Sequence, residues 1–170
     1  VYKKSLVQIA GLLDSFVASR KTLVMPSLED SFTRSLYATW LSYLPAGDFG
    51  YLLEMKRDDR GWLSEFIKSP FFGQVFVSKT KPGISRGNHW PHTKVEKFLV
   101  IEGKALIRFR KFDDTELFEY QVSGEELRVV DIPVGYAHSL TNIGETELIT
   151  LIWADEIFNP AASDTYYLEV

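Results

Sequence analysis

Two of the chain's three histidines and one glutamate fall within eight residues: His89, His92 and Glu96, in the stretch RGNHWPHTKVEKF that begins at Arg86. The third, His138, lies downstream in PVGYAHSLTN. Imidazole nitrogens and a carboxylate converging from separate strands suit a divalent transition metal and leave positions for water or substrate. Glu96 is the most pointed of the set. It alternates with apolar Phe98 and Val100 while Lys97 faces the other way, and an inward carboxylate is costly unless paired or bound to a cation. Pro91 separates the two neighbouring histidines. Residues three apart on a regular strand face opposite sides, so His89 and His92 cannot both point inward without a bulge or a strand end, which a proline tolerates. His89, Glu96 and His138 are therefore expected as metal ligands. His92 is either a fourth ligand or a free acid–base group. Tyr136 is a candidate proton donor, or simply packed. Arg60 and Arg86 suit bidentate contact with diphosphate or sugar oxygens, the plainer alternative being salt bridges.

These residues need elements to hold them. From residue 1 to about 45 the pattern is helical: Leu6, Ile9, Ala10, Leu13, Phe16 and Val17 share one face at a spacing near 3.6. After Met25-Pro26, Ser27-x-x-Asp30 offers a second helix start. Phe32, Leu36, Trp40 and Tyr43 then form another apolar stripe. From about Phe49 the period becomes two. Candidate strands are YLLEMKR, WLSEFIK, QVFVSKT, EKFLVIE, KALIRFR, LFEYQV, ELRVVDI and ELITLIWA, separated by turns such as Asp59-Arg60-Gly61 and Lys81-Pro82-Gly83. Many short strands with frequent turns mean a mainly β sandwich or barrel. A hairpin's first strand is expected to supply His89 and Glu96, and a later antiparallel strand His138. The aromatic tail after Ala154 should pack down.

Composition narrows the function classes. Nineteen basic against 23 acidic residues give a net charge of −4, with no basic stripe for nucleic acid or an acidic membrane. Cysteine is absent, which removes disulfides, thiolate metal sites and cysteine nucleophiles and fits a cytoplasmic protein. No apolar run approaches the roughly 18 residues of a membrane span. The chain does not begin with methionine and reads as part of a longer protein.

Glu96 to Gly103 and Pro133-x-Gly135-x-x-His138-x-x-x-Asn142 resemble the paired motifs of the cupin superfamily, with Pro91 where the first motif carries its second histidine. DDRGWLSEF, KPGISRGNHW and PVGYAHSL occur in an order similar to nucleotide-sugar epimerases of the RmlC type. LYATWLSYLP, GNHWPHTKVEKFLVIEGKALIRFR and DTYYLEV extend the resemblance, over nearly the whole chain, to the C-terminal part of CapF-type bifunctional capsular polysaccharide enzymes. That resemblance implies a jelly-roll cupin barrel over residues 47–170, and a helical segment 1–46 that ends a preceding reductase domain. It implies zinc as the divalent metal and a UDP-activated 4-keto-6-deoxy-N-acetyl sugar as the substrate for C3 epimerisation. Reduction by NADPH belongs to the other domain, and no dinucleotide fingerprint occurs in this sequence. It also implies a homodimer. In the metal-free epimerases of this superfamily, the histidine matching His89 is the base.

Overall fold

A computed structural model describes residues 2–170; Val1, the first residue of the expected helical segment, lies outside the described residues. Helix α1 (Leu6–Thr22) starts at a capping box in which Ser5 and Gln8 satisfy each other's backbone N–H groups. It stops at Leu23, whose left-handed φ of 62° turns the chain. Helix α2 (Ser31–Ser42) is capped by Asp30, whose carboxylate accepts from the N–H and hydroxyl of Thr33. The cap is thus the second member of the expected Ser27–Asp30 signal. Phe16 is fully buried against Tyr37 and Trp40, at ring separations of 5.0 and 5.8 Å. The rest of the α1 stripe is less covered, with Leu6 86% exposed. The helices join the barrel through Leu23 and Met25, which exchange backbone hydrogen bonds with Lys68. Among the described residues no helix is long and apolar enough to cross a membrane.

The remaining chain forms eleven strands: β1 (Lys56–Asp58), β2 (Gly61–Ser69), β3 (Gly73–Thr80), β4 (Ser85–Trp90), β5 (Glu96–Glu102), β6 (Lys104–Lys111), β7 (Leu117–Ser123), β8 (Val129–Ile132), β9 (Tyr136–Asn142), β10 (Leu148–Ala154) and β11 (Tyr166–Tyr167). They make two antiparallel sheets, β1-β2-β3-β10-β5-β8 and β11-β4-β9-β6-β7. This is the expected jelly-roll barrel. The core lies between the sheets, where Phe98, Val100, Ile107, Phe109, Leu140 and Ile152 meet.

Alternation decides which side chains enter that core. On β6, Ala105, Ile107 and Phe109 are buried and their neighbours are not. On β5, Glu96, Phe98 and Val100 point in together, as the pattern predicts. Three expectations change. YLLEMKR is strand only from Lys56 onward. β4 and β9, absent from the candidate strands, carry His89 and His138. His89 and Glu96 do not share a strand: β4 and β5 belong to opposite sheets, because the chain crosses the barrel at Pro91–Val95.

Candidate metal centre

The site begins with an irregularity. β4 and β9 pair Ser85 with Thr141, Arg86 with Leu140 and Gly87 with Ser139, and then His89 with His138. Asn88 is the extra residue of a β-bulge. Its φ is 59° and that of Gly87 is 100°. A Cβ on Gly87 would sit 2.6 Å from the carbonyl oxygen of His138, so only glycine fits. Without the bulge, His89 would face Ala137 and point away from the core. With it, the two histidines stand directly opposite on the inner face, their rings 4.6 Å apart. The strand end expected at the proline is also present: β4 ends at Trp90, just before Pro91.

Glu96 completes the cluster from the opposite sheet. Its Oε2 lies 3.6 Å from Nε2 of His138, and one ligand atom from each of His89, Glu96 and His138 lies within 4.8 Å of the others. His138 is 1% exposed. Burial, and then the neighbouring His89, lower its pKa to about 3. Burial also lowers that of His89, with the Lys94 ammonium adding to the effect. Both imidazoles are therefore neutral at ordinary pH with lone pairs free, and the His138–Glu96 contact is not an ion pair. Burial pushes the Glu96 carboxyl up, against the pull of Lys94, whose Nζ is 3.5 Å from Oε1.

Both ring nitrogens of His138 and Oε2 of Glu96 are buried without a hydrogen-bond partner. Such orphaned groups are rare in folded proteins because each costs its desolvation energy. Two neutral nitrogens and a carboxylate oxygen facing one point are the donor set of a divalent cation. These residues fit one.

The cluster opens into a cavity of about 190 Å³, walled by Phe76, Phe98, Leu140 and Ile152 and bordered by Arg60 and Arg86. Arg60 is held by Asp58, Nε to Oδ2 at 2.9 Å. Arg86 has no ion pair among the described residues; its guanidinium donates to the Thr80 hydroxyl and the Lys79 carbonyl. Burial, and then Arg60, lower its pKa.

Five sequence candidates thus border one cavity: Arg60, Arg86, His89, Glu96 and His138. Two do not. His92 is exposed on the loop after β4, its ring 6.0 Å from that of Trp90. Tyr136 shares the inner face with His138 but lines a separate groove of about 470 Å³, with Phe109, Phe118 and Tyr120. That groove is larger, yet none of the three cluster residues reaches it. Pro91 is fully buried. Sequence reasoning missed Lys94, although its place two residues before Glu96 was a usable signal, and Asp164, which gave none.

Residues 56–166 match the family model of the polysaccharide biosynthesis C-terminal domain. The chain is 37% identical to the UDP-2-acetamido-2,6-beta-L-arabino-hexul-4-ose reductase of Pseudomonas aeruginosa, over 99% of this chain and 45% of the relative. It superposes on the crystal structure of the capsular polysaccharide assembling protein CapF from Staphylococcus aureus with a TM-score of 0.97 and 53% identity, covering 99% of this chain and 49% of that one. The 3′-monoepimerase ChmJ of Streptomyces bikiniensis shares the fold alone, with a TM-score of 0.51 and 13% identity over 68% of this chain and 65% of that one. The chain spans about half the length of the first two.

Proposed function

Because this chain belongs to the polysaccharide biosynthesis C-terminal domain family as a CapF-type cupin, we propose that it epimerises C3 of a UDP-4-keto-6-deoxy-N-acetylhexosamine in capsular polysaccharide precursor synthesis. One observation carries this reading: a single cavity joins His89, Glu96 and His138, with both His138 nitrogens and one Glu96 oxygen buried without partners, beside Arg86, which has no counter-ion among the described residues. The Pseudomonas relative is named for a UDP-4-ulose, the class of sugar whose C3 proton is acidified by the adjacent ketone.

His89, Glu96 and His138 would hold the divalent cation, zinc by its donor set; when bound, it supplies Lewis-acid stabilisation of charge on the keto oxygen. Arg86, with Arg60 beside it, binds the diphosphate, the charge it lacks a partner for. The apolar walls exclude water, which strengthens these electrostatic contacts. A base takes the C3 proton on one face and an acid returns one on the other, so no atoms are gained or lost. His92 and Tyr136, which lie outside that cavity in this structure, enter this proposal as the proton carriers. Reduction of the ketone is assigned to a companion reductase domain of the longer protein, and assembly to a homodimer.

Two other readings have their own supporting observations. The neutral His89 lines the cavity and would serve as the base of a metal-independent epimerase. Pro91, buried where the cupin motif carries a further histidine, favours a non-catalytic sugar-binding or dimerisation cupin. Solvent deuterium exchange at C3 of the UDP-4-keto sugar, followed by NMR, separates them. Exchange that is lost on chelation and in His89→Ala is the expected result. Exchange surviving chelation supports the metal-independent route. No exchange from folded, zinc-loaded protein sinks the epimerase reading. Unchanged rates in His92→Ala or Tyr136→Phe remove that residue from the reaction.

A further inference from the structure

The loop Pro91–Val95 joins the strand of His89 to the strand of Glu96 and so sets the distance between two of the three cluster residues. Three successive backbone N–H groups of that loop point at one carboxylate. Asp164 accepts from His92 at 3.0 Å, Thr93 at 2.7 Å and Lys94 at 2.8 Å, and from the Thr93 hydroxyl at 3.1 Å. The loop and Asp164 are about 70 residues apart in sequence, so this is a tertiary tie and not local turn chemistry.

The residues after Asp164 continue along the same edge. Thr165 Oγ1 accepts from Lys94 Nζ at 3.4 Å, and that ammonium also faces Oε1 of Glu96. Tyr166 stacks on Trp90 at 4.8 Å, with Phe112 on the other face of the indole at 4.9 Å. β11 pairs Tyr166 with Trp90 and Tyr167 with His89. Leu168 N–H donates to the carbonyl of Asn88, and Val170 N–H to its side-chain oxygen. Segment 164–170 therefore grips the bulge residue, the backbone of His89 and the loop leading to Glu96, and makes no hydrogen bond to the three cluster side chains.

We propose that Asp164 is a positioning residue for the His89–Glu96–His138 metal centre, fixing through the Pro91–Val95 loop the separation of its two half-sites. This rests on the metal-centre reading above. The carboxylate immobilises the backbone of Lys94, whose ammonium holds one oxygen of Glu96 and leaves the other turned to His138. Outer groups that orient metal ligands typically change metal affinity about 10- to 100-fold when removed.

The test is zinc affinity by competition with a chromophoric chelator, together with the visible spectrum of the cobalt(II)-substituted protein. Asp164→Asn presents an NH₂ group to donors that need an acceptor. It should weaken zinc binding about 10- to 100-fold and alter the cobalt ligand-field bands, with partial recovery in Asp164→Glu. Phe16→Ala, in the helix pair, controls for destabilisation alone and should leave affinity and spectrum unchanged. If Asp164→Asn does not fold, Tyr166→Ala interrogates the same grip and should weaken affinity several-fold. Wild-type affinity and an unaltered spectrum in the Asp164 variant, or in Tyr166→Ala where that replaces it, overturn the positioning role while leaving the metal centre standing. A wild type that binds no zinc overturns the metal centre itself, and the positioning role with it.

Discussion

Glu96 carries a carboxyl into the barrel: it is 7% exposed, and one of its oxygens has no partner. Its folded pKa lies above that of the free side chain because burial disfavours the charge. For such a group the stabilising contribution is complete below the unfolded pKa, near 4.5, and is lost as pH rises through the folded value. The chelated protein should therefore lose stability as pH rises above about 4.5, and Glu96→Gln should remove that loss while weakening zinc binding at least about tenfold. Urea denaturation across pH, with and without chelator, reads both effects. Gly87→Ala should act on the neighbouring ligand. Its Cβ would collide with the His138 carbonyl at a φ of 100°, so it should cost about 1–3 kcal/mol in chemical denaturation and separate the two imidazoles. Glu96 was legible because a carboxylate fell on the apolar side of an alternating strand, and His89 and His138 because histidine is rare in this chain and all three fall in two short segments. The bulge that makes His89 usable was not: Gly87-Asn88 reads as an ordinary turn pair until the register with β9 is known. Asp164 was illegible for a related reason. Apart from the Thr93 hydroxyl, its partners are backbone N–H groups, which leave no mark in the identity of residues 92–94.

Among the elements, β6 and β5 were readable because one face of each is apolar and the other wet. β9 was not. It lies centrally between β4 and β6, and residues Ala137 to Leu140 are all buried, so alternation vanishes. The helix pair has the reverse character, with a clear period and a thin core. Phe16 is its single fully buried large side chain among the described residues. Phe16→Ala should remove about 3–5 kcal/mol from the helical segment, read as faster amide exchange in α1 and α2 with the barrel's protection unchanged. The segment after β10 depends on ionisation. Burial works against the Asp164 charge, but the N–H groups of Thr93, Lys94 and His92 outweigh it and hold its pKa at about 2, against a free value of 3.8. Stability from a depressed carboxylate is present above 3.8 and lost as pH falls toward 2. Acid titration should loosen the Tyr166–Trp90 stack within that window, and Asp164→Asn should abolish this step in near-ultraviolet circular dichroism.

Across the whole molecule, a β sandwich or barrel was legible in the count of short strands and turns, and the jelly roll only through the motif resemblance, whereas the assignment of strands to sheets was not, since β10 inserts between β3 and β5 from far along the chain. That assignment sets the order in which the molecule can assemble. His89 and His138 belong to one sheet and Glu96 to the other, so neither sheet alone presents the cluster. Pairings between residues so distant in sequence form slowly. If the triad holds the proposed metal, its capture reports closure of the barrel: in stopped-flow refolding, zinc uptake should trail the far-ultraviolet signal of strand formation and coincide with burial of Phe98 and Phe109. Refolding with the proposed metal withheld should then yield closed but unclamped barrels rather than unpaired sheets.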